Sequence, residues 1–341
     1  MAMDGARSSM SDRARLRADF VARAGWAGAR ESLLAGDASF RKYFRLTRSG
    51  GSVVVMDSPA AHEPVEPFVR IGRHLSALGL SAPEIFAEDQ ANGFLLLEDL
   101  GDDTFARVLA NGGDEAELYA RATDVLAAVH AAPDHGLLPG LGAYEGEALI
   151  EAAILVPEWY LPEATGRPTT MEQTESYRAA WRQCLANLPS GASCLLLRDY
   201  HSDNLLWLPD RPGVRACGLL DFQDAQRGHP SYDLVSLIED ARRDVPTAIH
   251  AACLGRYLAA TGLDAQDFRA GFALMAAQRH ARIIGLFVRL LRRDGKADYL
   301  PHLPRVWRMF ERAVAHPALE PLRLWFDHHL PPPLRRSGSS C

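Results

Sequence analysis

The chain has 341 residues, 48% of them hydrophobic and 23% charged, with a formal net charge of -6. That length allows two compact units with a sizeable core, and the negative balance offers no basic field of the kind that gathers nucleic acid. The cysteines, Cys184, Cys194, Cys217, Cys253 and Cys341, are odd in number and include no C-x-x-C pair, so neither a disulfide framework nor a zinc site is indicated. No run reaches the ~18 apolar residues of a membrane helix. The opening MAMDGARSSMSDRAR lacks the apolar core of a signal peptide. The expectation is a reduced, soluble, cytoplasmic protein with no membrane partner.

In chain order, residues 1–11 are small and polar and read as a disordered tail. Ser11 and Asp12 can cap a helix running to about Ala24. Strand patterns follow at Glu31–Ala35, Phe40–Thr47 and Ser52–Met56, the last after a Gly50-Gly51 turn. Phe68, Ile71, Leu75 and Leu78 recur at helical spacing, and Gly79 ends that helix. Ile85–Glu88 and Phe94–Glu98 are strands joined by Asn92-Gly93. Beyond Gly101 helical patterns dominate: Thr104–Ala110, Glu115–Ala131, Thr174–Leu188, Ala248–Ala260, Phe268–Leu291 and Leu303–Ala315. One strand-rich island, Ser193–Phe222, interrupts them. The expected fold is α+β. A small antiparallel-sheet lobe spans residues 12–98, a larger helical lobe spans 99–330 with a hinge near Glu98–Gly101, and 331–341 form a low-complexity, disordered tail.

The island carries the chemistry. It reads Leu-Leu-Leu-Arg-Asp199-Tyr-His-Ser-Asp-Asn204, an apolar strand, a second apolar strand, then Asp221-Phe222. Phosphoryl transfer needs a carboxylate to take the proton of the attacking hydroxyl, and hard oxygen ligands for Mg²⁺. Asp199, Asn204 and Asp221 supply that set, and a hairpin of the two strands would return Asp221 towards Asn204. The D-x-x-x-x-N spacing alone is common by chance, and taken singly Asp199 reads equally well as a cap and Asp221 as a turn residue. Asp233 opens an apolar helix and suits a capping or loop-bracing role. His201, inside the loop, can touch a substrate or make a structural hydrogen bond.

The continuation, Asp221-Phe-Gln-Asp-Ala-Gln-Arg-Gly228-His-Pro230-Ser-Tyr-Asp233-Leu, is more specific. With Asp199 to Asn204 it resembles the aminoglycoside-phosphotransferase-like kinases. The resemblance implies a two-lobed protein-kinase-like fold, ATP at the hinge, Mg²⁺ on Asn204 and Asp221, and Asp199 as catalytic base. The adenine would lie between apolar residues near Phe94–Leu97 and be read by backbone groups near Glu98 and Leu100. The chain departs from the pattern twice. Leu197 stands where a bracing His is frequent. The third strand, Ser52–Met56, lacks the Lys or Arg that holds the α- and β-phosphates. Replacement cations are sought in Arg41, Lys42 and Arg45, beyond a Gly36-Asp-Ala-Ser39 segment in the place of the phosphate-covering loop, with Glu66 to orient one of them. These cations read equally well as solvated strand residues.

Further segments narrow the resemblance: Gly36–Arg45, Met56-Asp57, Glu66–Ile71, Glu158-Trp-Tyr160, Arg198–Asn204 and Gln278–Arg282. Together they are similar to the anomeric N-acetylmuramate/N-acetylglucosamine kinases of bacterial cell-wall recycling, which implies an amino-sugar substrate phosphorylated at its C1 hydroxyl. On that reading Trp159 and Tyr160 stack on a pyranose, and Arg279 and Arg282 pair with a lactyl carboxylate. The alternative for the aromatics is helical core, and for the arginines a solvated face. Two other readings stand beside it: a kinase of an aminoglycoside or choline, and a nucleotide-binding pseudokinase.

Overall fold

Alternating apolar side chains in the first hundred positions build a five-stranded antiparallel sheet. The computed structural model describes residues 12–36, 41–59, 61–186 and 193–335. Helix α1 (Asp12–Arg23) precedes β1 (Arg30–Gly36), β2 (Lys42–Arg48) and β3 (Gly51–Asp57); α2 (Glu66–Ala77) precedes β4 (Ile85–Asp89) and β5 (Phe94–Glu98). The strand order is β1-β2-β3-β5-β4. Because side chains alternate across a strand, register sorts them onto two faces. Lys42, Phe44 and Leu46 lie opposite Asp57, Val55 and Val53; Tyr43 and Arg45 lie opposite Met56 and Val54, on the other face. Phe20 and Val21 of α1 pack with Leu46, Val53, Val55, Phe94 and Leu96 on the first face. Buried Asp57 fastens the same helix, accepting from Arg13 at 2.7 Å and Arg17 at 2.8 Å.

The chain divides into two compact units. The first runs to Asp103, slightly past the hinge read from sequence, and takes in the distant segment Gly218–Gln223. The Leu219 N–H donates to the Ser81 carbonyl at 2.9 Å, and the Phe222 ring packs on Phe68 with centroids 4.7 Å apart. Gly72 of α2 makes room for that ring: a Cβ there would lie 3.2 Å from it.

The second unit begins with α3 (Phe105–Ala110) and α4 (Glu115–Ala131), capped by the Thr104 and Asp114 side chains. Then follow β6 (Ala143–Tyr144), α5 (Glu147–Ala153), a π-helical turn (Val156–Tyr160), α6 (Leu161–Thr165) and α7 (Met171–Ala186). The island supplies β7 (Cys194–Leu196), β8 (Leu205–Trp207), β9 (Cys217–Leu219) and β10 (Gln226–Gly228). Strands β6, β10 and β7 form one small sheet, and β8 with β9 another. The remaining helices are α8 (Ser231–Ile238), α9 (Thr247–Thr261), α10 (Ala265–Asp294), α11 (Leu303–Val314), α12 (Glu320–His329) and α13 (Pro332–Arg335). Helix α10 is the spine: its 30 residues bury Phe268, Met275, Ile284 and Phe287 among neighbouring helices. No helix among the described residues is long and apolar enough to cross a membrane.

One expectation about the ends is corrected. Residues 331–335 are not a loose tail. Arg335 is buried and donates to Glu311 at 3.0 Å and Asp327 at 2.6 Å, which anchors α13. Composition flagged this segment as low-complexity because it registers residue types and not their partners. Residues 1–11 and 336–341 lie outside the described part.

One position in the spine meets the backbone of a neighbouring segment directly. A Cβ on Gly285 would lie 2.3 Å from the Leu155 carbonyl carbon, backbone that cannot swing aside. Gly285→Ala is therefore expected to cost about 2–3 kcal/mol of unfolding free energy in urea titration, although alanine favours helices intrinsically.

Candidate active site

After β7 the chain turns sharply through Leu197–Asn204, and one buried carboxylate sets that turn. Asp233, in the first turn of α8 and fully buried, accepts the backbone N–H of Leu197 at 2.5 Å and of Arg198 at 2.9 Å. Arg198 is held in the left-handed region, φ 71°, which is uncommon for a residue with a Cβ. The Asp199 N–H then donates back to the Leu197 carbonyl at 2.9 Å. The Asn204 side chain closes the loop, its Nδ2 donating to the Asp199 carbonyl at 2.9 Å. The amide nitrogen is thus turned towards the loop backbone. The Asp199 carboxylate itself is half-buried.

Three guanidinium groups gather beside this loop. Arg198 lies over the Tyr144 ring at 4.0 Å and donates to Gln226. Arg279, buried within α10, reaches the Tyr232 hydroxyl at 3.4 Å and the Arg198 carbonyl at 3.5 Å. Burial pushes the Tyr232 hydroxyl up, but Arg279, Arg282 and Arg198 together bring it below its ordinary value. Arg279 and Arg282 are thus not a solvated face. Arg198, unremarked as a cation in the sequence, joins them; its place directly before Asp199 was the available signal.

His201 is corrected from a substrate contact to a brace. Its ring is buried, with Nε2 3.4 Å from both Asn204 Nδ2 and Arg242 Nη1. Burial, and then Arg242, push its pKa down to about 4, so it is neutral near pH 7. Tyr160 is corrected too. It is 2% exposed, packs 5.1 Å from Trp307 and donates to the Leu334 carbonyl at 2.9 Å, leaving no open face for a ring. Trp159, half-exposed on the π-helical turn, is the available aromatic of the pair.

In the first unit, Asp221 also takes a left-handed conformation, φ 55°, and its carboxylate accepts from Gln223 at 2.8 Å. Backbone strain of this kind concentrates at functional positions. Of the cations sought on β2, Arg45 is corrected. It forks onto Asp99 at 2.7 and 2.9 Å and onto Asp102 at 2.8 and 3.0 Å. Those carboxylates, Asp102 first, hold its proton more tightly than usual, and a guanidinium so engaged has little left for a phosphate. Lys42 shares the α1 side of the sheet with Asp57. Arg41 lies 3.1 Å from Glu63, whereas Glu66 is taken up by Arg70 on its own helix, 3.5 Å away. At the hinge the Glu98 N–H donates to the Glu84 carbonyl at 2.8 Å, which removes it as an adenine donor, and Leu100 sits half-buried before Gly101. Gly36 ends β1; Ser39 lies outside the described residues.

A profile of the phosphotransferase enzyme family matches residues 31–274. The chain belongs to that family. An N-acetylmuramate/N-acetylglucosamine kinase of Caulobacter vibrioides is 39% identical over 360 residues, covering 96% of this chain and 99% of the relative. One of the same name from Pseudomonas aeruginosa is 38% identical over 290 residues, 82% of each chain. Solved structures share the kinase-like fold at low identity. A choline/ethanolamine kinase family protein of Mesorhizobium loti superposes with a TM-score of 0.61 at 15% identity, covering 91% of this chain and 99% of that one. The ADP-bound aminoglycoside phosphotransferase APH(2'')-Ib superposes with a TM-score of 0.54 at 15% identity, covering 84% and 93%.

Two predictions concern this phosphotransferase. Arg45→Ala leaves the largely buried Asp99 without its cation, and is expected to lower the unfolding free energy by about 1–3 kcal/mol in urea titration. Asp233→Asn keeps the shape but offers one acceptor oxygen where two N–H groups need one each. Turnover is expected to fall about 10–100-fold in steady-state assays as the loop shifts. The same variant has a signature in pH. Burial raises the Asp233 carboxyl from 3.8 to about 6, against the hydrogen bonds from Leu197 and Arg198. Between those values the native state holds a proton that the unfolded chain has released, so this group's contribution to stability falls as pH rises from about 4 to about 6. Asp233→Asn is expected to flatten that part of the stability–pH curve.

Proposed function

We propose that this chain is an ATP-dependent sugar kinase that phosphorylates the anomeric C1 hydroxyl of N-acetylmuramate or N-acetylglucosamine, in the cytoplasmic recycling of peptidoglycan. The observation that carries the reading is the loop fixed by Asp233, in which a half-buried carboxylate is followed five residues later by an inward-tied amide. The kinase names borne by the relatives supply the acceptor class.

In this reading Asp199 takes the proton of the sugar hydroxyl while its oxygen attacks the γ-phosphorus and ADP departs. An anomeric hydroxyl is more acidic than an ordinary alcohol, so a carboxylate of modest basicity suffices. Asn204 and Asp221 are the oxygen donors assigned to Mg²⁺, which neutralises phosphate charge when bound. Arg198, Arg279 and Arg282 make the neighbourhood cationic, which suits an acceptor bearing a lactyl carboxylate and opposes an aminoglycoside or choline. The complete set of Asp199, Asn204 and Asp221 argues against a pseudokinase. Trp159 is the assigned ring-stacking residue, and Arg41, just before β2, the assigned phosphate contact.

Asp199→Asn is expected to reduce turnover by at least about a thousandfold while nucleotide binding, followed by calorimetry, changes little. Phosphorus NMR of the product should show one anomeric phosphate, and the methyl glycoside of N-acetylglucosamine should be inert. Phosphorylation of that glycoside at a comparable rate would overturn the C1 assignment.

A further inference from the structure

The segment joining α8 to α9 borders a cavity of about 220 Å³ within the second unit, walled on its other side by α11. Four arginines, Arg243, Arg305, Arg308 and Arg312, face it against two carboxylates, Glu239 and Asp244. Glu115, outside the lining, also pairs with Arg243 at 2.6 Å, which still leaves four guanidinium groups against three carboxylates. Glu239 is already committed to His280 at 2.6 Å and Arg312 at 3.0 Å. Asp244 is largely exposed and shared, 3.0 Å from Arg305 and 3.4 Å from Arg308. Two donors in this wall are buried without any acceptor among the described residues, Nε of Arg243 and Nε of Arg305. A buried N–H with no partner is destabilising, because its lost hydration is not replaced. Guanidinium forks satisfy such donors best on oxyanions, which they hold with two parallel hydrogen bonds.

We propose that this cavity is a second ligand site, separate from the Asp199 loop, that binds a phosphate group. Its volume is below the roughly 300–1,000 Å³ of sites for drug-sized ligands, so the molecule carrying the phosphate is small. The site is joined to the loop. Arg305 donates to the Ala241 carbonyl at 3.1 Å; beside it Asp240 accepts from Ser202 at 3.1 Å, and Arg242 lies 3.3 Å from Asp203. A phosphate that draws Arg305 away from Ala241 would shift residues 240–242, and with them the far end of the loop.

The test uses the full chain with ADP saturating, no acceptor sugar and no turnover, so its outcome is independent of which sugar is phosphorylated. Inorganic phosphate and glycerol 2-phosphate are titrated separately by calorimetry, the first probing free phosphate and the second a phosphate monoester. Binding of either is expected, weakened at least about tenfold in Arg305→Gln/Arg308→Gln and unchanged in Arg323→Gln, a surface control. Thermal melts check that the double variant is folded; if it is not, Arg308→Gln alone, at an exposed position, is expected to weaken binding at least about threefold. Preference for one probe identifies the source of the phosphate. Absence of binding by the parent chain, or equal affinity in the parent and the folded pocket variant, would overturn the proposal.

Discussion

The second unit is organised around one buried carboxylate accepting two consecutive backbone N–H groups. Asp233 has no guanidinium within hydrogen-bond reach among the described residues; its partners are peptide groups of Leu197 and Arg198. That choice fixes backbone, where a side-chain partner would fix only a rotamer. It holds Arg198 in a left-handed conformation that the residue would not keep alone, and so decides where Asp199 begins. Asn204 then ties the other end of the loop to the Asp199 carbonyl. The brace at Leu197 acts on its peptide group, while its apolar side chain is buried.

The first unit shows the converse use of charge. Its arginines stabilise the sheet before they can serve a ligand. Arg13 and Arg17 neutralise Asp57 beneath α1, and Arg45 neutralises Asp99 and Asp102 at the end of β5. Partly buried carboxylates of this kind are costly once a partner is removed, so these cations are tied to folding. The third strand itself, Gly51–Asp57, carries no cation.

Much was legible in sequence because it follows from period and spacing. The strands of the first unit, α2 and the long helices follow from alternation and from three-to-four spacing. Asp199, Asn204 and Asp221 were read as a candidate set because phosphoryl transfer calls for a carboxylate base and hard oxygen ligands. The π-helical turn at Val156–Tyr160 was not, since an extra residue per turn leaves no periodic mark. Neither was the membership of Gly218–Gln223 in the first unit, which depends on the contact of Phe222 with Phe68 and Gly72.

By itself the sequence determined the candidate groups, their order and most of the strands and helices that carry them, because these depend on residue identity and local spacing. Tertiary structure decided which identical-looking residues were available. Two adjacent aromatics divided into a buried Tyr160 and a half-exposed Trp159, and Arg45 of β2 was clamped on two carboxylates. Availability depends on partners brought from far along the chain, such as Leu334 for Tyr160 and Asp99 for Arg45, and no local pattern encodes a partner.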